Sequence, residues 1–187
     1  MSPGIVGQAV GLFAVTNIDD LLVLAVFCAR GATRNILVGQ YAGFAAILVA
    51  AVSAAFGATF LPEAAIPYLG LLPIALGIKA AIEAWRQRGD ADRPEVRNGA
   101  PGALEVAAVT FANGGDNIGV YVPVFATAGI GGMATYSAVF LVLVALWVAA
   151  GRHLATRPAI ARALGRWGHV LFPVVLIGIG LLILIGR

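Results

Sequence analysis

The chain has 187 residues, of which 60% are hydrophobic and only 11% charged. Soluble domains carry about 25% charged residues, and the stretches between charges here approach the ~20 apolar residues that cross a bilayer, so a soluble fold is excluded. The net charge of +3 and pI near 9.5 do not indicate nucleic-acid binding, because the arginines sit at the ends of apolar stretches and not on one solvated face.

Six spans are predicted in chain order. The first runs from Gly4 to Ala29, without the basic start of a cleaved signal peptide. The second is Ile36 to Phe60, and the third is Ile66 to Trp85 after a short loop at Pro62 and Glu63. Arg86 to Gly102 is polar and reads as a solvated linker. The fourth span is Ala103 to Ala128, and Gly129-Ile130-Gly131-Gly132 turns the chain into the fifth, Met133 to Ala150. Thr156 to Trp167 places Ile160, Leu164 and Trp167 at helical spacing among arginines, which fits a surface helix or an ordinary basic loop. The sixth span is His169 to Ile185.

Basic residues set the orientation. Arg30, Arg34, Lys79, Arg86, Arg88, Arg93, Arg97, Arg152, Arg157, Arg162 and Arg166 fall on one side, leaving only Arg187 of the twelve. The positive-inside rule makes that side cytoplasmic and puts both termini outside a cell membrane. The two halves also repeat weakly. Asp19-Asp20 and Asp116-Asn117 precede the phrases beginning at Pro73 and Pro173 by 54 and 57 residues. Three is odd, so two three-span repeats (1–88 and 103–187, joined by the linker 86–102) must be inverted, as in many secondary transporters. The expectation is one all-α integral membrane domain.

Chemistry concentrates near the middle of the first and fourth spans, in Thr16-Asn17-Ile18-Asp19-Asp20 and Asn113-Gly114-Gly115-Asp116-Asn117. Three aspartates at mid-span cost on the order of 8–10 kcal/mol to insert, which neutral residues holding helices together would avoid. Helical spacing puts Thr16, Asp19 and Asp20 on one face, and Thr110, Asn113, Asp116 and Asn117 on another. Gly114-Gly115 weakens the helix and can free carbonyls for an ion. Carboxylate, amide and carbonyl oxygens suit a divalent cation, so Asp19, Asp20 and Asp116 are read as the ion site with Asn113 and Asn117 as neutral ligands. Asn17 can act beside them. Gln40, Tyr41 and Tyr121 can line the pathway or bond between helices, and Cys28, the lone cysteine, can supply a thiolate or merely pack. His153 and His169 lie at span ends, where interfacial roles are commoner than ligation. Gly7-xxx-Gly11 and Gly39-xxx-Gly43 allow close helix approach, within one chain or between two copies.

Three runs carry a family resemblance: Asn17-Ile18-Asp19-Asp20-Leu21, Gly39-Gln40-Tyr41-Ala42-Gly43-Phe44, and Ala112-Asn113-Gly114-Gly115-Asp116-Asn117-Ile118-Gly119-Val120-Tyr121. They resemble the signatures of cadmium resistance transporters, the CadD family of the LysE superfamily of exporters. The resemblance implies export of a divalent metal, with cadmium the namesake substrate, no resident cofactor, and a LysE-like fold. The oxygen-rich ligand set suits manganese or calcium at least as well as the softer cadmium, with zinc also in range. Three acids without metal would repel, so the empty site is expected to take up one or two protons and exchange them for the cation. Competing readings are export of amino acids or another small solute, which three carboxylates disfavour, and an intramembrane aspartyl protease, whose Gly-x-Gly-Asp motif is broken by Asn113. No nucleotide-binding motif marks a primary pump.

Overall fold

A computed structural model describes residues 3–31, 33–58, 60–86, 100–157 and 173–185. The linker stretch 87–99 and the arginine-rich 158–172, with His169, lie outside the described residues. Among the described residues the chain is all helical. The helices are α1 (Pro3–Thr16), α2 (Ile18–Ala29), α3 (Thr33–Ala58), α4 (Leu71–Arg86), α5 (Ala103–Asn113), α6 (Gly115–Ala155) and α7 (Pro173–Ile185), with a 3-10 segment, Glu63–Gly70, leading into α4.

Among the described residues three helices are long and apolar enough to cross a membrane: Thr33–Ala58, Ala64–Ile82 and Gly115–Ala155. The pair α1 and α2 makes a fourth if its 61° bend counts as one broken span. α6 consists of two helical runs, 115–128 and 130–155, that fold back on each other, since the Tyr121 and Phe140 rings lie 4.8 Å apart. Gly129 kinks it, with φ 68 and ψ 178, a conformation only glycine adopts easily.

The expected first span is therefore not one helix. It breaks at Asn17, whose side-chain amide donates to the Phe13 carbonyl at 2.9 Å, the acceptor its own backbone N–H also uses. Asparagine competes with the helix ladder in this way. The fourth span breaks more gently at Gly114, where ψ turns to 8. The 61° bend at Asn17 places Thr16 on α1 and Asp19 and Asp20 on α2, whereas at Gly114 the hydrogen-bond ladder runs on, from Gly114 N–H to the Thr110 carbonyl and from Ile118 N–H to the Gly114 carbonyl.

Glycines set the packing. A methyl at Gly43 would sit 2.6 Å from the Ala107 carbonyl and 2.8 Å from Thr110 Cβ, and one at Gly39 would sit 2.6 Å from Val106 Cβ. So α3 lies directly on α5, and Gly39-xxx-Gly43 serves packing within the chain. Gly7 and Gly11 face open space. Gly70 and Gly77 seat the 3-10 segment and α4 on α7, against the Gly180 carbonyl and Ile177. The main core is aromatic: Phe13 meets Phe44 at 5.4 Å between ring centroids and Phe140 at 5.5 Å, and Tyr121 meets Phe140 at 4.8 Å. This cluster lies against both helix breaks.

Candidate functional site

The two breaks face each other across the bundle. At one, Asn17 is buried, and Asp19 and Asp20 occupy the first turn of α2. At the other, Asp116 occupies the first turn of α6. Each break thus begins a helix with an acid at its N-terminus, where the helix dipole favours negative charge.

A chain of buried hydrogen bonds joins them. Thr16 Oγ1 donates to the Leu12 carbonyl at 2.9 Å, so at its 2.9 Å contact with Tyr121 the phenol is the donor. Asn17 Nδ2 donates to that phenol oxygen at 2.9 Å, and Asn117 Nδ2 donates to Asn17 Oδ1 at 3.2 Å. Thr110 Oγ1 donates to Gln40 Oε1 at 2.6 Å, tying α5 to α3 beside this network. The bonding capacity of Thr16, Asn17, Asn117 and Tyr121 goes largely to one another, which is how polar groups persist at membrane depth.

Asp20 differs. It is 4% exposed, its Oδ1 accepts from Asn113 Nδ2 at 3.1 Å, and its Oδ2 is buried with no hydrogen-bond partner. A buried carboxylate oxygen without a donor is costly unless a ligand or proton completes it. Its neighbour Asp19 is exposed, and Asp116 is half-buried. Among the described residues no group of three or more His, Cys, Asp and Glu is gathered as a metal site. The structure brings together Asp20 with Asn113 and Asn17 with Asn117, without drawing all three aspartates into one cluster.

Gly114 is enclosed, since a methyl there would collide with the end of Ile47, whereas Gly115 faces open space. Cys28 lies eight residues along α2 from Asp20, about 12 Å by helical rise, and packs beside Leu24, Phe27, Ile36, Val106 and Val148. It does not join the oxygen groups. His153 is exposed at the end of α6.

Two contributors escape the sequence reading. Trp147 Nε1 donates to the Asn17 carbonyl at 2.7 Å. Trp147 lies three residues from the end of the expected fifth span, where tryptophan is ordinarily interfacial, so nothing in the sequence marked it. Arg30, at the end of α2, pairs with Glu105 in the first turn of α5 at 3.0 Å. The positive-inside count used Arg30 only as a charge.

Among the described residues, three helices long and apolar enough to cross a membrane, with a bent fourth pair, mark a multi-pass membrane protein. A family model described as "Cadmium resistance transporter" matches residues 13–187, nearly the whole chain, and the chain belongs to that family. Neither a curated protein nor a solved structure matches it.

Proposed function

We propose that the protein exports a divalent metal cation through the membrane by exchange with protons, at a site anchored on Asp20. The observation that carries this reading is the division of labour within one carboxylate: Oδ1 is held by Asn113, while buried Oδ2 has no hydrogen-bond partner. Such an oxygen is presented to a cation when the site is loaded and to a proton when it is not. Asp19 and Asp116, at the first turns of the two helices, supply the remaining charge along the pathway, and the side-chain amides of Asn113 and Asn117 supply neutral oxygens.

The same reading takes six crossings, with the breaks at Asn17 and Gly114 inside the first and the fourth. The bent pair α1–α2, α3, the 3-10 segment with α4, α5 with α6 up to Gly129, α6 beyond Gly129, and α7 make six crossings in two inverted sets of three. With the arginine-bearing ends in the cytoplasm, an inward proton gradient drives metal out. Oxygen donors favour manganese, calcium or zinc over a purely thiophilic selection, and membership of the family brings cadmium into the panel.

The deciding experiment is uptake by inverted vesicles or proteoliposomes with cadmium, manganese, zinc and calcium, comparing the parent with Asp20→Asn. Asp20→Asn, which keeps shape and removes charge, is expected to insert normally and abolish transport. Transport at the parental rate by Asp20→Asn overturns the site.

A further inference from the structure

We propose that Trp147 is a positioning residue of the cation site: its indole N–H holds the bend in the first span at the angle that presents Asp20. This rests on the Asp20 reading above and adds a residue to it. The bend is made at Asn17, and α2 begins at the next residue, so the direction of its first turn, with Asp20, follows from how Asn17 is fixed. The side chain of Asn17 is fixed from α6 before its kink, by Tyr121 and Asn117. The main chain is fixed from α6 beyond the kink, by Trp147 at 2.7 Å. The Asn17 carbonyl has one other donor, the Leu21 N–H, at a longer 3.3 Å. A carbonyl whose ladder bond is stretched at a bend inside a bilayer gains from a second donor, and indole offers a single N–H on a rigid ring with no acceptor to compete.

The ring itself is held in place. It stands edge-on to Phe13 at 5.1 Å between centroids, with an 85° interplanar angle. It also packs against three apolar clusters among the described residues, around Phe13, Leu24 and Leu21. A residue anchored on three sides transmits its position to the one polar atom it touches. The distance from Trp147 to the chemistry is one hydrogen bond plus one helical turn, and it touches no cation itself.

The test is cadmium uptake in proteoliposomes, fitted for half-saturating concentration and maximal rate. Two variants are compared with the parent: Trp147→Phe, and Trp147 replaced by β-(3-benzothienyl)alanine, which keeps the bicyclic shape and lacks the N–H. Loss of one net hydrogen bond corresponds to an about 2- to 10-fold change in an equilibrium constant. Both variants are expected to raise the half-saturating concentration by that factor while the maximal rate changes less. A benzothienyl variant with parental half-saturation overturns the proposal, because the ring would then act by packing alone, whatever Trp147→Phe does. Asp20→Asn in the same assay separates the two ideas. If it is inactive while the benzothienyl protein matches the parent, only the Trp147 assignment falls. If it is fully active, the site itself falls.

Discussion

At the scale of single residues, the argument turns on how a carboxylate's two oxygens are used. Asn113 donates to Oδ1 of Asp20 across the gap between α5 and α2. Hydrogen bonds to charged groups are worth about 1.5–3 kcal/mol, so Asn113→Leu is expected to weaken metal affinity by roughly 10-fold or more, read as half-saturation in the transport assay. Parental affinity in Asn113→Leu would show that Asp20 is oriented by something else. Asp20 and Asn113 were legible in the sequence because a charge or amide deep in an apolar span stands out by its insertion cost alone. Thr16, Asn17, Asn117 and Tyr121 were equally visible as polar residues. Their use was not legible, since sequence shows that a group needs a partner but not that the partner is 100 residues away.

At the scale of elements, α3 is the unbroken member to which broken ones attach. Its glycines admit the α5 backbone, with the Ala107 carbonyl against Gly43. Gly43→Val is therefore expected to force α3 from α5 and destabilise the fold by about 1–3 kcal/mol, seen as a lower melting temperature in detergent. Gly7→Val, on a glycine facing open space, is the control and is expected to leave the monomer's melting unchanged. Equal losses in both variants would refute the packing assignment. The long spans and their ends were readable from apolar runs and flanking arginines. The bend at Asn17 was not, because residue spacing was extrapolated through it as though the helix were continuous, whereas the weak point at Gly114-Gly115 was read from the two glycines. Asn17 is a weak helix former, but what holds its break is the tertiary partners, Tyr121 and Asn117.

At the scale of the whole molecule, the six-crossing plan places both termini outside and the 86–102 linker in the cytoplasm. Reporter fusions at Arg187 and within the linker are expected to read external and cytoplasmic respectively, and a cytoplasmic C-terminus would overturn the plan. Proton exchange is read separately. With the membrane potential clamped, an imposed pH gradient is expected to drive cadmium flux in parent proteoliposomes. Flux indifferent to that gradient would leave another counter-ion or facilitated diffusion. The Arg30–Glu105 pair, with side chains 13% and 31% exposed, closes α2 onto α5 at the arginine-rich end. Partly exposed pairs contribute only about 0–1 kcal/mol, so it orders that end more than it stabilises the fold.

The partners of the first helix break have a consequence for biogenesis. Thr16 and Asn17 find Tyr121, Asn117 and Trp147, and Asp20 finds Asn113, all of them translated about 90 to 130 residues later. During synthesis the amino-terminal half therefore enters the bilayer with its polar break uncompensated, and it stays so until α6 emerges from the ribosome. Fragment 1–88 made alone is expected to be cleared rapidly by membrane proteases, and coexpression with fragment 89–187 is expected to lengthen its lifetime in pulse-chase. A long-lived isolated amino-terminal fragment would mean that the break can satisfy itself. If the dependence holds, the second half acts as an intramolecular chaperone for the first, and quality control has a defined interval in which to act.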